Sequence, residues 1–453
     1  MNIQDFVKEH SDHIWNMLIK MNSFGPRYTG NDAHQQYIQF IKEQLKEMKL
    51  PVYTDQHQFD RWEVLQARLS VDMEGKPVQI PVLSYYPYSG VTPEAGVSGE
   101  LVFCKNKRQF KKAAGKIAVI NVNNILLPTR LIFHPRKAAH FLPAFMRHCV
   151  VGSTLLGPNL TDAGKSGVIG VICVWKHCTD AEAKGQYLPF TTPLQNCPAL
   201  WVGEKAGKEL KRMAKEHGKA RIVLTARIEK EAVSETIYTM IPGKNSAETI
   251  LINTHTDGPN ACEENGGIAL LALADYYAGL PIQNRNKTLC FIFATGHFQI
   301  PQFGIDGKQA TSRWLRMHEE LWDGRNGNKK AIAGLTLEHL GCMTDTEKDN
   351  DSSNTERNPE IEFVYTSDEQ MEKVYRDAVT DRTKIRSVTL KPGKFYFGEG
   401  EPLYQAGIPT ISLVPAPWYL CSEVPGGHLE KMDRDLMLQQ IATFANMIDC
   451  LDS

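Results

Sequence analysis

Apolar and polar positions along this chain recur with helical spacing at its start, in short irregular runs through its middle, and in alternating strand and helix patterns to its end. In the first part Ile3, Phe6, Val7, Ile14, Met17 and Leu18 return every three or four residues, and Tyr37, Ile38, Ile41, Leu45 and Met48 share one face of a second helix over about 34–48. The turn-rich loop Phe24-Gly-Pro-Arg-Tyr-Thr-Gly30 separates them, Pro51 ends the second, and 52–59 reads as a strand. From about 61 to 235, short apolar runs broken by Gly, Pro and charged turns predict a separate β-rich insert, with one clear helix near 204–217. The basic, apolar stretch 128–156, with His134, His140 and His148, fits no element. From 236 onward strands are predicted at 236–241, 249–253, 288–294, 333–337, 361–365 and 410–414, with helices at about 266–279, 308–321, 369–379 and 434–451. That alternation implies an α/β domain, built from 1–60 and 236–453, whose mostly parallel sheet is covered by helices on both faces.

Sheets of this kind place their sites beyond the carboxyl ends of the strands, and the polar residues turn up there. The strand at 249–253 runs into Thr254-His255-Thr256-Asp257-Gly258, and Glu263-Glu264-Asn265-Gly266-Gly267 opens the helix after it. The next strand ends in Thr295-Gly296-His297, the one after in Glu338-His339, and Gly426-Gly427-His428 precedes the last helix. Each residue alone has a plain structural reading, but together they supply the imidazole and carboxylate ligands that zinc accepts.

Composition narrows the classes. With 51 Lys+Arg against 52 Asp+Glu the net charge is −1, which gives no electrostatic case for nucleic acid or an anionic membrane surface. No run reaches the ~18 apolar residues of a membrane span. The opening MNIQDFVKEHSDHIW lacks an export-type apolar core. The ten cysteines form no C-x-x-C pair and most sit in apolar runs, so buried free thiols and a cytoplasmic location are expected, and a zinc ribbon is not.

The order of these segments resembles the co-catalytic zinc aminopeptidases and glutamate carboxypeptidase II, relatives of transferrin receptor and glutaminyl cyclase. Gly25-Pro-Arg-Tyr-Thr-Gly30 followed by a helix and Leu50-Pro-Val52 is similar to that family's opening segment. Lys116-Ile-Ala-Val-Ile, Ala163-Gly-Lys-Ser-Gly-Val-Ile-Gly-Val-Ile and Pro198-Ala-Leu-Trp-Val are similar to its protease-associated insert. Ile241-Pro-Gly-Lys leading to Ile252-Asn-Thr-His-Thr-Asp257, then Gly407-Ile-Pro-Thr and His428-Leu-Glu-Lys-Met-Asp433, match the remainder.

The resemblance implies one or two zinc ions. His255 would be the first ligand, with Asp257 as the carboxylate that orients it. Glu264, in place of the family's Asp before Asn-Gly, would bridge, followed by a cis peptide to Asn265. His297 and Glu338 would stand for a ligating Glu and Asp, and His428 would close the set. Metal one would take His255, Glu264 and Glu338, and metal two Glu264, His297 and His428. Where the family has its general base stands Gly296, so Glu399, Glu401 and His339, ahead of Glu263, become candidates to replace it. The implied function is a divergent metal-dependent aminopeptidase-like hydrolase acting on a peptide or small amide. The alternatives are a non-catalytic binding or scaffold protein and a single-zinc acyl-transfer enzyme. Phe395-Tyr396-Phe397 and Trp418-Tyr419 are candidate pocket walls, and a homodimer is the default assembly.

Overall fold

A computed structural model describes residues 2–73, 75–136, 142–305, 309–348 and 351–453. Three helices open the chain: α1 (Ile3–Glu9), α2 (Ser11–Ser23) and α3 (Asp32–Glu47). The strands that matter below are β1 (Tyr53–Met73), β2 (Val97–Cys104), β3 (Ile117–Asn123), β4 (Gly170–Lys176), β5 (Ala199–Val202), β6 (Lys219–Ile241) and β7 (Asn245–His255). Helix α4 (Gly266–Ala278) follows, then β8 (Lys287–Ala294), β9 (Lys330–Leu337), β10 (Glu362–Thr366), β11 (Ser387–Lys391), β12 (Thr410–Leu413) and helix α5 (Arg434–Asp452).

Side chains on the central strands alternate between two helical layers, as a doubly covered sheet requires. Ile250 and Ile252 of β7, with Leu289, Phe291 and Phe293 of β8, face a core shared with α1–α5. Leu251, Cys290 and Ile292 face the opposite core with Trp314, Leu315 and Leu403. Helix α4 is apolar on almost every side and is buried accordingly. Its two opening glycines permit close approach: a Cβ on Gly266 would strike the Leu337 carbonyl and Thr254, and one on Gly267 would strike the Tyr37 hydroxyl. Small residues there let the helix start press against the ends of β7 and β9.

The mostly parallel α/β sheet expected for the second half is present: β8, β7, β9 and β12 pair in parallel. The expectation of a separate insert is corrected. One 15-stranded sheet runs through both regions, in the order β5-β4-β3-β2-β6-β8-β7-β9-β12-β10-β11 along its main path. The joining element is β6, 23 residues long. Its start pairs with β2 and its end with β8, while β1 runs antiparallel beside it from Tyr53 to Asp72. Residues 227–231 in the middle of β6 are exposed and mostly charged, so in the sequence they read as a break. The two regions also share a core, in which Trp62, Tyr88 and Trp175 pack with Cys262, Phe298 and Tyr419.

The stretch 128–156 crosses to the far end of the sheet. His134-Pro135 pairs with Leu390-Lys391 of β11, and Leu127-Pro128 with Phe145-Met146. A helix over Cys149–Leu156 completes it, and His140 lies outside the described residues. Among the described residues no helix is long and apolar enough to cross a membrane.

Candidate metal centre

Three parallel strands end side by side and deliver the polar residues. β7 ends at His255, β8 stops just before Gly296-His297, and β9 stops just before Glu338-His339. The Nδ1 atom of His255 lies 2.9 Å from the carbonyl oxygen of Asp257, and Nδ1 of His339 lies 2.6 Å from that of Pro415. A carbonyl only accepts, so both rings carry their proton on Nδ1 and keep a bare lone pair on Nε2. Both Nε2 atoms are buried and unpartnered, and so is Oε2 of Glu263.

These orphaned atoms converge. One donor atom from each of His255, Glu263 and His339 lies within 4.8 Å of the others. His339 Nε2 and Glu263 Oε2 are 3.4 Å apart. That is too long for a hydrogen bond, and it matches the ~3.4 Å edge of a tetrahedron with metal–ligand bonds of ~2.1 Å. Among the described residues no other group of three His, Cys, Asp or Glu side chains comes as close. Burial, then the facing Glu264 and Glu338, push the Glu263 carboxyl well above its usual range. Burial brings His339 down to about 3 and also lowers His255, so both imidazoles are neutral at pH 7. Neutral imidazoles around a carboxylate that lacks a compensating charge form a set completed by a divalent cation.

The remaining candidates take distinct places. Glu264 is turned to Arg27 in a fully buried ion pair. His297 stacks on His255 with ring centroids 4.1 Å apart, and its Nδ1 lies 2.7 Å from Glu399. Glu399 also accepts from the amides of Ala310 at 3.0 Å and Thr311 at 2.7 Å. Burial opposes the charge on Glu399, but His297 and these amides hold its carboxyl below the usual value. Burial likewise opposes the charge on His297, and Glu399 overcomes it and raises the imidazole. Glu338 accepts from the amide of Glu399 at 2.6 Å. Its Oε2 is orphaned, and burial pushes the carboxyl to about 7.

Asp257 orients His255 through its backbone, since the nearest approach of its carboxylate to Nδ1 is 4.0 Å. The carboxylate instead accepts from Thr29 and from the amides of His297 and Phe298, which shapes the turn after β8. His428 packs its ring near Trp418 and Tyr419, with Nδ1 3.5 Å from Glu430 and Nε2 unpartnered. Glu401 accepts from Gln405 on the helix Gly400–Gln405. The cis peptide expected after Glu264 is not formed: the one cis bond among the described residues is Leu188-Pro189. Arg27 meets Oε1 of Glu264, and Oε2 of the same carboxylate is buried and unpartnered.

A cavity of about 110 Å³ opens on this centre. Glu263, His297, Glu338 and His339 form its polar floor, and Ile132, Phe133, Val150, Phe363, Phe397 and Leu420 form its apolar walls. Of the aromatic triplet only Phe397 lines it, while Tyr396 stacks on Tyr365. Trp418 and Tyr419 pack against His428 instead. The stretch 128–156 thus forms one wall of the cavity. Sequence reasoning ranked Glu263 last among its neighbours and gave Arg27 no role. The second omission was avoidable, because an arginine inside a glycine-bounded turn is a signal that a charge is being delivered somewhere specific.

No family model and no curated protein matches the sequence. Solved structures do match over nearly the whole chain. A zinc aminopeptidase from Bacillus subtilis superposes with a TM-score of 0.63 at 15% identity, covering 97% of this chain and 94% of its own. An aminopeptidase from Aneurinibacillus sp. strain AM-1 gives 0.61 at 16%, covering 97% and 92%. A peptidase M28 precursor from Shewanella amazonensis SB2B gives 0.66 at 14%, covering 98% and 97%. The fold is that of the zinc aminopeptidases.

Within this aminopeptidase fold the turn at Gly296 is built for glycine. Its φ is +105°, and an added Cβ would lie 3.2–3.3 Å from the ring of Phe303. The backbone itself excludes a carboxylate side chain at the position where the family resemblance would put the general base.

Proposed function

We propose that this protein is a metal-dependent hydrolase of peptide or small amide bonds, with zinc held by His255, Glu263 and His339. The observation that carries this reading is the convergence of three buried, unpartnered donor atoms, two of them imidazole nitrogens left bare by backbone carbonyls that hold the opposite ring nitrogen. Bound there, zinc supplies a Lewis acid for the amide carbonyl and for water.

The chain's own residues supply the rest. His297 serves as the general base in place of the missing carboxylate. Its Nδ1 is committed to Glu399, which leaves Nε2 to take a proton from the attacking water and return it to the departing amine. Glu399 is fixed by two amides, so it orients the imidazole and stabilises its protonated form. The apolar walls exclude bulk water and give a substrate side chain a place to bury.

Zinc analysis combined with hydrolysis of an aminoacyl-anilide series tests the reading. The expected result is zinc-dependent turnover that falls about 10²–10⁴-fold in His297→Ala with zinc retained. A zinc-loaded protein that cleaves no amide would favour the binding-protein alternative.

A further inference from the structure

A net charge of −1 conceals how the charges are distributed. From Leu101 to Thr161 the chain has ten Lys and Arg and no Asp or Glu. We propose that the outer side of the stretch 126–156, which walls the cavity on its inner side, docks on an anionic lipid surface. This docking needs nothing from the metal centre.

Among the described residues the most exposed large apolar side chains are Leu131 at 69%, Leu65 at 58%, Phe145 at 54%, Leu155 at 53% and Leu126 at 49%, and only Leu65 lies outside this stretch. Single exposed leucines are ordinary, but such a concentration marks an interaction site. The stretch has two apolar sides. Leu127, Ile132 and Met146 line the cavity, while their chain neighbours Leu126, Leu131 and Phe145 are exposed. The cavity accounts for the first set and leaves the second without a role. Pairing of Leu127 with Met146 and of Pro128 with Phe145 brings the outer residues of the two arms together, and Arg130 and Phe145 line one surface cleft. The backbone between is fastened. The amide of Thr129 donates to the Ala144 carbonyl at 3.0 Å, and that of Arg136 to the Thr389 carbonyl at 2.9 Å. Arg136 also donates from Nε and Nη2 to the hydroxyl and carbonyl of Thr366, at 2.7 and 2.6 Å. The exposed side chains are therefore presented by an anchored segment.

Charge selects the partner. Arg130 and Arg147 are exposed within the stretch. Lys105, Lys107 and Arg108, also exposed, leave β2 at the end of the sheet from which the parallel strand β3 runs into it. A bilayer with anionic lipids satisfies both kinds of residue: Leu and Phe side chains enter the boundary between headgroups and acyl chains, and the cations stay at the phosphates. Nucleic acid would use the cations alone, because aliphatic side chains such as Leu126, Leu131 and Leu155 offer no stacking surface for bases.

The test mixes the full chain with phosphatidylcholine vesicles, with and without phosphatidylglycerol, and measures the bound fraction by sedimentation. Binding is expected only with the anionic lipid present, and it should weaken as added salt screens the cations. Arg130→Ala should lower the partition coefficient about fivefold. Leu131→Asp and Phe145→Asp should each lower it more than about tenfold, since each withdraws a large apolar side chain from the boundary. Leu65→Asp, at a comparably exposed position on β1 outside the stretch, should leave it unchanged. Absence of binding, equal binding to both kinds of vesicle, or a loss in Leu65→Asp as large as in Leu131→Asp would overturn the assignment. So would a lipid-free dimer that Leu131→Asp dissociates, which would give the patch to a second copy of the chain. None of these outcomes bears on the hydrolase reading.

Discussion

The ring of His297 lies flat against that of His255, centroids 4.1 Å apart and planes 12° from parallel, with Glu399 behind it at 2.7 Å. In the proposed reaction one imidazole is a ligand and the other, in contact with it, a carrier of protons. The two functions are separated by which nitrogen each ring has already given away. His255 spends Nδ1 on a carbonyl and keeps a lone pair, whereas His297 spends Nδ1 on a carboxylate and gains the capacity to become charged.

In the proposed mechanism Glu399 acts through His297. Glu399→Gln should lower kcat by about 10²–10⁴ while zinc content stays at the wild-type value. The double variant with His297→Ala should be scarcely worse than either single change, because the pair works as a unit. Steady-state kinetics beside metal analysis checks this, and additive losses would break the assignment.

Metal removal should destabilise the fold. Without an ion, Glu263, His255 and His339 are buried donors with nothing to meet. Free zinc at 100 times its Kd adds about 2.7 kcal/mol of stability. Thermal melts should therefore shift downward with chelator and recover with added zinc, more in the wild type than in Glu263→Gln.

At the last helix, Asp433 caps the amide of Leu436 at 2.7 Å and meets Lys384 with both oxygens at 2.9 Å. Burial opposes its charge, but Lys384 and the helix amide prevail and hold the carboxyl below its usual value. A carboxyl whose folded pKa is depressed stabilises the protein above its unfolded value of about 3.9 and loses that contribution as pH falls through the folded value. Asp433→Ala should cost about 1 kcal/mol at pH 7. Denaturant melts down to about pH 3 should show the gap to wild type closing in acid.

Restoring a carboxylate by Gly296→Glu should fail. The left-handed backbone and the Phe303 ring together make any side chain strained, at about 1–3 kcal/mol. The variant should melt earlier and hydrolyse no faster, and a gain in rate would mean that the turn can rearrange.

Thiol labelling offers a check on packing. Cys450 is exposed and the other nine cysteines are buried. A maleimide should modify Cys450 alone in the native protein and all ten cysteines after unfolding.

Much of the scaffold can be read from periodicity. The helix expected at 266–279 is Gly266–Ala278, that at 434–451 is Arg434–Asp452, and the strand at 288–294 is Lys287–Ala294. Those segments are long and buried on defined faces, so local pattern and tertiary packing agree. The helix expected at 308–321 is shorter, Thr311–Met317 followed by a single turn at Glu319–Leu321, and position 308 lies outside the described residues. The hairpin of Met343–Lys348 with Asp351–Pro359 has no apolar alternation to betray it. Within the site, that His255 and His339 lie at strand ends was legible, but which of Glu263 and Glu264 faces the centre was not. That choice is made by Arg27, more than 230 positions away, through an ion pair that only the folded chain brings together.

The centre draws on segments far apart in the sequence. Arg27 reaches it from near the start, and Pro415 sets the tautomer of His339 from near the finish. On a ribosome, where domains form as their residues emerge, the strand ends bearing His255 and His339 appear long before the carbonyl of Pro415. The tautomer that bares Nε2 of His339 is therefore set only once the segment carrying Pro415 has been made, and the proposed metal site is completed after the strands that carry its imidazoles.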